Sequence, residues 1–256
     1  MKEGKKITEY PVIHGDNNMS NIALLIAGGA GKRVGQSIPK QFITVNGKPV
    51  IVYTLEAFQK HPEIDAIAVV CIDGWQPLLQ AYADQFIITK LKFIVTGGIN
   101  GQDSIRNGVY ELEKYYGSED IVLIHDAIRP MVSAEIISDC IRVTREKGNA
   151  IAVIPCAEAM METDNGTEST GSYPRDRLKR TQTPQGFHIG DICDLHRRAL
   201  KAGITNSVAS CTLKTEMGEQ VFFSMGSEMN IKLTTAEDFE IFKALLTVKG
   251  SDRLRG

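Results

Sequence analysis

The chain has 256 residues, of which 43% are hydrophobic and 23% charged, an ordinary composition that suffices for one α/β domain with a substantial core. Its formal net charge of -2 offers no overall positive field for a nucleic-acid backbone, so any anion site must be a local pocket of Arg and Lys. No apolar run approaches the roughly 20 residues that span a bilayer. From the net charge we expect no nucleic acid as a partner, and from the short apolar runs we expect no membrane.

The hydrophobic pattern predicts strands and helices that alternate along the chain. The expected elements, in order, are strand 21–27, helix 49–59, strand 66–72, helix 75–86, strand 93–95, helix 103–116, strand 121–124, helix 134–147, strand 150–155, helix 189–203, strand 221–224 and helix 235–246. This order predicts an α/β fold with a mainly parallel, twisted sheet and helices on both faces. Sites in such sheets lie beyond the carboxyl ends of the strands.

Three segments fall outside this alternation. Residues 1–20 are polar and lack the apolar segment of a secretory signal, so we interpret them as a flexible N-terminal extension. Residues 21–247 are then a single domain, and residues 248–256 a polar tail. Residues 158–180 are polar and rich in Thr, Gly and Ser, which is typical either of a disordered loop or of an extended arm that packs on another subunit.

A glycine-rich loop follows the first predicted strand. The sequence AGGAGKR at 27–33 is followed closely by PKQ at 39–41. Glycines let backbone amides approach phosphates, and successive amides form a concavity that binds anions. Arg33 and Lys40 can add positive charge around a triphosphate, which is what nucleotidyl transfer requires of a protein. The alternative is a glycine-rich turn with two solvated basic residues.

Two other nucleotide-binding loops do not match this sequence. A Walker A loop needs a glycine where Ile26 stands and Ser or Thr after the lysine, where Arg33 stands. A dinucleotide-binding fingerprint needs a third glycine where Val34 stands. The loop is therefore neither of these two types.

A second motif, HDAIRP at 125–130, follows a buried strand. The carboxylate of Asp126 can hold Mg²⁺ or a ribose hydroxyl, and Arg129 can hold a phosphate through two hydrogen bonds. The alternative is an ordinary turn with an Asp–Arg ion pair and a packed histidine at His125. Lys232, within NIKLT at 230–234, is placed to face the same crevice, although a solvated lysine is the default interpretation.

The five cysteines are scattered along the chain and include no CxxC pair. Structural zinc needs closely spaced ligand pairs, and a disulfide framework usually needs an even number of cysteines. This pattern favours reduced thiols in a cytoplasmic protein.

Six motifs, AGGAGKR, PKQ, GG…DS, HDAIRP, TQTPQ and NIKLT, occur in the order found in one family. Over residues 21–246 the chain resembles the 2-C-methyl-D-erythritol 4-phosphate cytidylyltransferases and the related ribitol-5-phosphate cytidylyltransferases. The resemblance implies a Rossmann-like nucleotidyltransferase fold, CTP with Mg²⁺, and attack by the phosphate of a small polyol phosphate on the α-phosphorus with release of pyrophosphate. It also implies a homodimer in which 158–180 is a protruding dimerisation arm that completes the neighbour's active site.

The resemblance also implies roles for individual residues. Arg33 and Lys40 match the residues that stabilise the transition state, and Arg175 and Lys232 match the pair that positions the acceptor phosphate. The implied CTP-binding residues are Ile26, Ala27, Gly28, Gly29, Ala30, Gly31, Gly97, Gly98, Ser104, Asp126 and Ala127. On the acceptor side the implied residues are Arg129 and Thr183, and Asp126 is the implied metal-side carboxylate.

The chain departs from the family pattern at three places. Ile99 and Gly101 stand where the base-side segment often has Asp and Arg. Ala159 and Met161 replace the Thr and Lys usual at the start of the arm. The sequence ITNS at 204–207 replaces an ITDE sequence. Two of these places lie near the expected acceptor region.

These departures leave several functions open. The acceptor can be 2-C-methyl-D-erythritol 4-phosphate, ribitol 5-phosphate or another alditol phosphate, which would supply isoprenoid synthesis in the first case and a cell-surface polymer in the second. The alternatives to a cytidylyltransferase are a sugar-1-phosphate nucleotidyltransferase and a non-catalytic CTP-binding paralogue.

Overall fold

The computed structural model describes residues 19–29 and 38–252. The strands are β1 Asn21–Ala27, β2 Thr44–Val45, β3 Lys48–Pro49, β4 Ala66–Cys71, β5 Leu91–Thr96, β6 Ile121–Asp126, β7 Asn149–Pro155, β8 Met160–Glu162, β9 Gly171–Tyr173, β10 Lys179–His188 and β11 Phe223–Met225. The α-helices are α1 Val50–Lys60, α2 Gln76–Gln85, α3 Gly101–Leu112, α4 Ala134–Lys147, α5 Ile189–Lys201, α6 Ser210–Glu216 and α7 Ala236–Asp252. The predicted N-terminal extension lies outside the described residues, apart from Met19 and Ser20.

A seven-stranded sheet forms the centre of the molecule, with strand order β11-β7-β10-β6-β1-β4-β5. Each neighbouring pair is parallel except the two pairs made by β10, which runs antiparallel to β6 and β7. The central strands β1, β4 and β6 are buried along almost their whole length, which explains their continuous apolar sequences. The predicted mainly parallel sheet is confirmed.

Helices cover both faces of this sheet. Successive side chains of β1 alternate between faces, so Ala23 and Leu25 pack in one core while Ile22 and Leu24 pack in the other. The first core contains residues of α1, α2 and α4, and the second contains residues of α3, α5 and α6. A third cluster joins α7 to the β2–β3 region. Within the part of the chain that the structure describes, no helix is long and apolar enough to cross a membrane.

The arm is an extended hairpin. Strands β8 and β9 pair antiparallel, and nearly every residue between Ala157 and Arg177 is exposed. The structure therefore favours the extended arm over the disordered loop. The predicted range ends within β10, because the last residues of that range, Lys179 and Arg180, pair with β7.

Further differences from the predicted elements concern segments with a weak periodic signal and the ends of elements. The β2–β3 hairpin, helix α6 and strand β10 were not predicted, since two to ten residues of mixed polarity carry little periodic signal. Helix α7 continues to Asp252, beyond the predicted start of the polar tail.

Candidate active site

A cleft of about 570 Å³ lies beyond the carboxyl ends of β1, β4, β5 and β6. The sequence-predicted residues that line it are Ile26, Ala27, Gly28, Gly29, Lys40, Gly97, Gly98, Ser104, Asp126 and Lys232. Ala127 instead lies beneath the wall of the cleft. It is fully buried, and its backbone N–H donates to the Ile26 carbonyl. Ala30, Gly31 and Arg33 lie outside the described residues, so the pairing of Arg33 with Lys40 stays a prediction.

One side of the cleft is built by close backbone contact between two loops. A Cβ atom added at Gly28 would lie 2.9 Å from Ser104 Oγ, and one added at Gly98 would lie 2.3 Å from Asp103 Cβ. Ser104 Oγ accepts a hydrogen bond from the Gly98 N–H at 3.0 Å and donates to the Asn100 carbonyl at 2.9 Å. The Ser104 hydroxyl therefore holds the loop that begins at Gly97, in addition to lining the cleft.

Gln41 ties the Lys40 turn to the glycine loop. Its buried side-chain amide donates to the Ala27 carbonyl at 2.7 Å and to the Gly29 carbonyl at 3.2 Å. The neighbouring Phe42 ring stacks on Trp75 with 4.9 Å between ring centroids. These contacts fix the short 3₁₀ turn that begins at Lys40 and bring that residue to the cleft. The sequence motif PKQ contained this residue, but its positioning role was not predicted.

Asp126 lies between two cationic side chains. Its carboxylate accepts from Arg129 Nε at 3.0 Å and from Lys232 Nζ at 3.1 Å. Burial alone would raise the pKa of Asp126, but the positive charges of Lys232 and Arg129 outweigh burial and hold that pKa below its ordinary value. The Asp–Arg ion pair expected as an alternative is therefore present. Arg129 also donates to the Asn230 carbonyl at 2.7 Å.

Behind Asp126, His125 is a buried neutral histidine. Burial lowers the pKa of His125 to about 4. Its Nε2 lies 3.2 Å from the Arg129 carbonyl, which can only accept, so Nε2 carries the proton. Its Nδ1 then accepts from the Thr183 hydroxyl at 3.1 Å, while that hydroxyl accepts from the Asp126 N–H at 3.0 Å. The packed-histidine interpretation is thus confirmed, and Thr183 positions the backbone of Asp126.

A second cavity of about 280 Å³ adjoins the first and shares four lining residues with it: Ile26, Gly101, Asp126 and Lys232. Arg129 and Thr183 line this second cavity. Arg175 lines neither. It lies in an exposed turn of the arm, where its guanidinium donates to the Ala157 carbonyl at 2.7 Å.

Two side chains at the start of α3 connect the rims of the two cavities. Asn100 caps the helix by accepting the Asp103 N–H at 2.8 Å, and its amide donates to the Thr205 carbonyl at 3.0 Å. Gln102 is buried; it donates to the Ile204 carbonyl and accepts from the Ser207 N–H. Sequence reasoning noted the altered 204–207 segment but not this attachment. Of these contacts, only the N-cap of Asn100 could have been found in the sequence, because Asn is a preferred residue at that position of a helix.

The donor set suits a metal that arrives with its substrate. Among the described residues no group of three or more His, Cys, Asp or Glu side chains could hold a metal ion by itself. Two carboxylates, those of Asp73 and Asp126, nevertheless line the cleft, and Asp126 is the sequence-predicted one. Because Mg²⁺ is commonly held by one or two carboxylates together with substrate phosphates, this donor set fits a magnesium–triphosphate complex.

Comparison with known proteins gives consistent matches over almost the whole chain. The family model described as IspD, 2-C-methyl-D-erythritol 4-phosphate cytidylyltransferase, matches residues 21–248. The ribitol-5-phosphate cytidylyltransferase of Lacticaseibacillus paracasei is 40% identical over 89% of this chain and 98% of the relative. The protein of the same name from Vibrio parahaemolyticus is 40% identical over 88% of this chain and 95% of the relative. The 2-C-methyl-D-erythritol 4-phosphate cytidylyltransferase of Geotalea uraniireducens is 33% identical over 90% and 98%.

Solved structures agree with the fold. A crystal structure of 4-diphosphocytidyl-2C-methyl-D-erythritol synthase superposes with a TM-score of 0.74 at 26% identity, over 90% of this chain and 99% of the other. The synthase of that name from Anaerococcus prevotii reaches a TM-score of 0.77 at 24% identity, over 90% and 99%.

Proposed function

The chain belongs to the IspD family of cytidylyltransferases, and on that premise we propose that its acceptor is ribitol 5-phosphate. As a member of this family it transfers a cytidylyl group from CTP to a polyol phosphate. The observation that carries the choice of acceptor is the 40% identity to two relatives named for ribitol 5-phosphate, over at least 95% of their lengths. Three relatives named for methylerythritol phosphate match at 33–35%, and three further ribitol-5-phosphate relatives match at 35%.

The two cavities suit the two substrates, one cavity for each. The larger cavity, with its glycine loops and Lys40, suits the nucleotide, because close backbone and a cation favour a triphosphate. The smaller cavity suits the polyol phosphate, because Lys232 and Arg129 supply positive charge beside polar side chains. Asp126 lies where the two cavities meet, so the reacting phosphates would meet there.

The reaction follows from this arrangement. An oxygen of the acceptor phosphate attacks the α-phosphorus of CTP, a new phosphorus–oxygen bond forms, and the bond to the β-phosphate breaks with its electron pair leaving on pyrophosphate. Negative charge accumulates on the oxygens of the α-phosphorus, and fixed cations and amides nearby lower the barrier. We assign this task to Lys40, to Arg33 and to the amides of the glycine loop. Bound Mg²⁺ would neutralise triphosphate charge, with Asp126 as the protein carboxylate that holds it.

We also propose that the protein is a cytoplasmic homodimer with shared active sites. The arm exposes Met160, Met161 and Tyr173, apolar side chains that a second copy would cover. Arg175 lies on the same arm and lines neither cavity of its own subunit, as expected if it serves the neighbour's site. All five cysteines are buried and unpaired, which fits a reducing compartment.

The test of the acceptor is a pyrophosphate-release assay with CTP and Mg²⁺. The matched acceptors are ribitol 5-phosphate, 2-C-methyl-D-erythritol 4-phosphate, glycerol 3-phosphate and other alditol phosphates. We expect kcat/KM for ribitol 5-phosphate to exceed that for the methylerythritol compound by about a hundredfold, within the range of about 10- to 200-fold that a difference of one carbon group gives in a binding pocket. A preference for the methylerythritol compound would overturn the proposed acceptor. UTP and dTTP in place of CTP test the sugar-1-phosphate nucleotidyltransferase alternative.

A further inference from the structure

The smaller cavity contains a buried hydroxyl without a hydrogen-bond partner. Ser210 is 3% exposed, it lines this cavity, and its Oγ makes no hydrogen bond to any described residue. A buried polar atom without a partner costs free energy, so native structures rarely keep one unless a ligand or water completes it. This atom is therefore a candidate contact for the substrate.

The other buried polar side chains of the cavity are already engaged. Gln182 exchanges hydrogen bonds with the backbone of Ser227, at 2.9 and 3.2 Å. Gln185 accepts from the Cys211 N–H at 3.0 Å and donates to the Gln182 carbonyl at 3.3 Å. His125 is engaged by Thr183 and the Arg129 carbonyl, as described above. Ser210 differs from these three in that its Oγ has no hydrogen-bond partner among the described residues.

Ser210 is also held firmly in place. It is the first residue of α6, and Gln185 fixes the next backbone N–H of that helix. The preceding segment is anchored to α3 by Gln102, which contacts Ile204 and Ser207. A hydroxyl on a fixed backbone can select among ligand hydroxyls, because little ordering is needed when the ligand binds.

The lining of the smaller cavity around Ser210 also contains apolar side chains and a cationic side chain. Ile105 and Ile124 contribute apolar surface, while Lys232 supplies a cation from a different segment of the chain. A ligand with one phosphate and a chain of hydroxyl-bearing carbons satisfies both kinds of group. Phosphate binding at Lys232 would leave the carbon chain to contact the remaining walls.

From these observations we propose that the Ser210 hydroxyl binds a hydroxyl of the acceptor's polyol chain and is a specificity-determining residue for the acceptor. This inference rests on the function proposed above, in that the smaller cavity receives the polyol phosphate. It adds to that function the identity of a side chain that contacts the carbon chain of the acceptor, as distinct from its phosphate.

The test is the Ser210→Ala variant, assayed with CTP against ribitol 5-phosphate and its 1-deoxy, 2-deoxy, 3-deoxy and 4-deoxy analogues, one for each free hydroxyl. We expect kcat/KM for ribitol 5-phosphate to fall about tenfold, as loss of one hydrogen bond predicts, with the KM for CTP unchanged. One deoxy analogue should show no such penalty, because it lacks the hydroxyl that Ser210 contacts. An equal penalty on every analogue, or no penalty on ribitol 5-phosphate, would overturn the proposal.

Thermal unfolding separates this role from a structural one. Removing a hydroxyl without a partner should leave the melting temperature unchanged or slightly higher, whereas a marked fall would assign Ser210 to the fold and contradict the proposal. Ser224→Ala is the matched control, because Ser224 is equally buried, on β11, and lines neither cavity. It should keep wild-type kcat/KM for every acceptor. If the wild-type protein turns over another polyol phosphate but not ribitol 5-phosphate, the acceptor assignment fails, and deoxy analogues of that acceptor decide the role of Ser210.

Discussion

The two cavities of this site are built in different ways. The larger is formed mostly by backbone from consecutive motifs, with Gly28 and Gly97 in close contact and Gln41 holding the Lys40 turn. The smaller is formed by side chains from separate segments, among them Asp126, Thr183 and Lys232. Backbone geometry can serve one invariant ligand, a triphosphate, whereas side chains from separate segments can change one by one. The comparison explains how a family can keep the nucleotide and vary the acceptor.

The largest expected effect lies in the larger cavity, at Lys40. In the proposed mechanism Lys40 stabilises charge at the α-phosphorus, and loss of one such stabilising group, as in Lys40→Ala, costs about 10²- to 10³-fold in kcat. We expect this loss in single-turnover assays, with little change in the melting temperature. Lys60→Ala, an exposed lysine at the end of α1, is the control and should keep full activity. Normal turnover by Lys40→Ala would remove the proposed mechanism.

The second prediction concerns the smaller cavity and the arm. If Lys232 and Arg175 hold the acceptor phosphate as proposed, Lys232→Ala and Arg175→Ala should each lower kcat/KM for the acceptor by about a hundredfold, because each removes a charged contact. If the arm serves the neighbouring subunit, a heterodimer of the two variants contains one intact site and one doubly altered site. Random exchange of subunits then restores about a quarter of wild-type activity, since half of the dimers are heterodimers.

Mixing therefore measures where Arg175 acts. No recovery after subunit exchange, checked by mass measurement of the mixed dimers, would place Arg175 and Lys232 in the same subunit's site. A protein that stays monomeric at assay concentration would contradict the homodimer itself.

The third prediction concerns the backbone of the larger cavity. Gly98→Ala would place a Cβ 2.3 Å from Asp103 Cβ and 2.7 Å from the Asp103 backbone carbon, so the loop must shift. We expect the KM for CTP to rise about tenfold or more, with a smaller change in the KM for the acceptor. Gly117→Ala is the control, because a Cβ there meets only an ordinary contact at 3.6 Å. Equal increases in KM for CTP and for the acceptor would show that the glycine loop does not serve the nucleotide alone.

The same contrast explains what the sequence could predict. Much of the larger cavity comes from short local motifs, of which residues 27–29, 40–41, 97–101 and 104 line it in the described part of the chain. Their glycines and strand positions are visible without a structure. The long strands and helices were likewise predicted from their periodicity. Strand β10 was not, because TQTPQG has neither alternation nor a continuous apolar run, and its place between β6 and β7 is decided by pairing across the sheet.

The smaller cavity was harder to predict from the sequence, because it is built by contacts between segments that are distant along the chain. Gln102 reaches Ile204 across 102 sequence positions, and Ser210 lies in a helix of seven residues that carries little periodic signal. The position of Lys232 in NIKLT indicated that it faces the crevice, but its role in binding the acceptor phosphate came only from the family resemblance, because a single lysine between two elements is usually solvated. Sequence patterns report local periodicity, and they leave side-chain attachment over such distances unspecified.

The last prediction concerns stability rather than turnover, at His125, which lines the smaller cavity. Because burial lowers its pKa in the folded protein to about 4, while an unfolded histidine titrates near its usual pKa of about 6.5, only the unfolded state gains a proton between these values. The free energy of unfolding should therefore fall as the pH decreases from about 6.5 to about 4. From pH 6.5 to pH 5 the contribution of this one group is on the order of 2 kcal/mol.

His125→Gln removes the titrating group and keeps an amide that can contact the Thr183 hydroxyl. Urea unfolding of both proteins at pH 7 and pH 5 should show a smaller decrease for the variant, even if its stability at pH 7 is lower. His196, whose pKa burial also lowers to about 4, is present in both proteins and cancels in the difference. An identical pH dependence in the two proteins would mean that His125 titrates normally. In that case the chain of hydrogen bonds from Arg129 through His125 and Thr183 to Asp126 would not hold the acceptor side in the arrangement described.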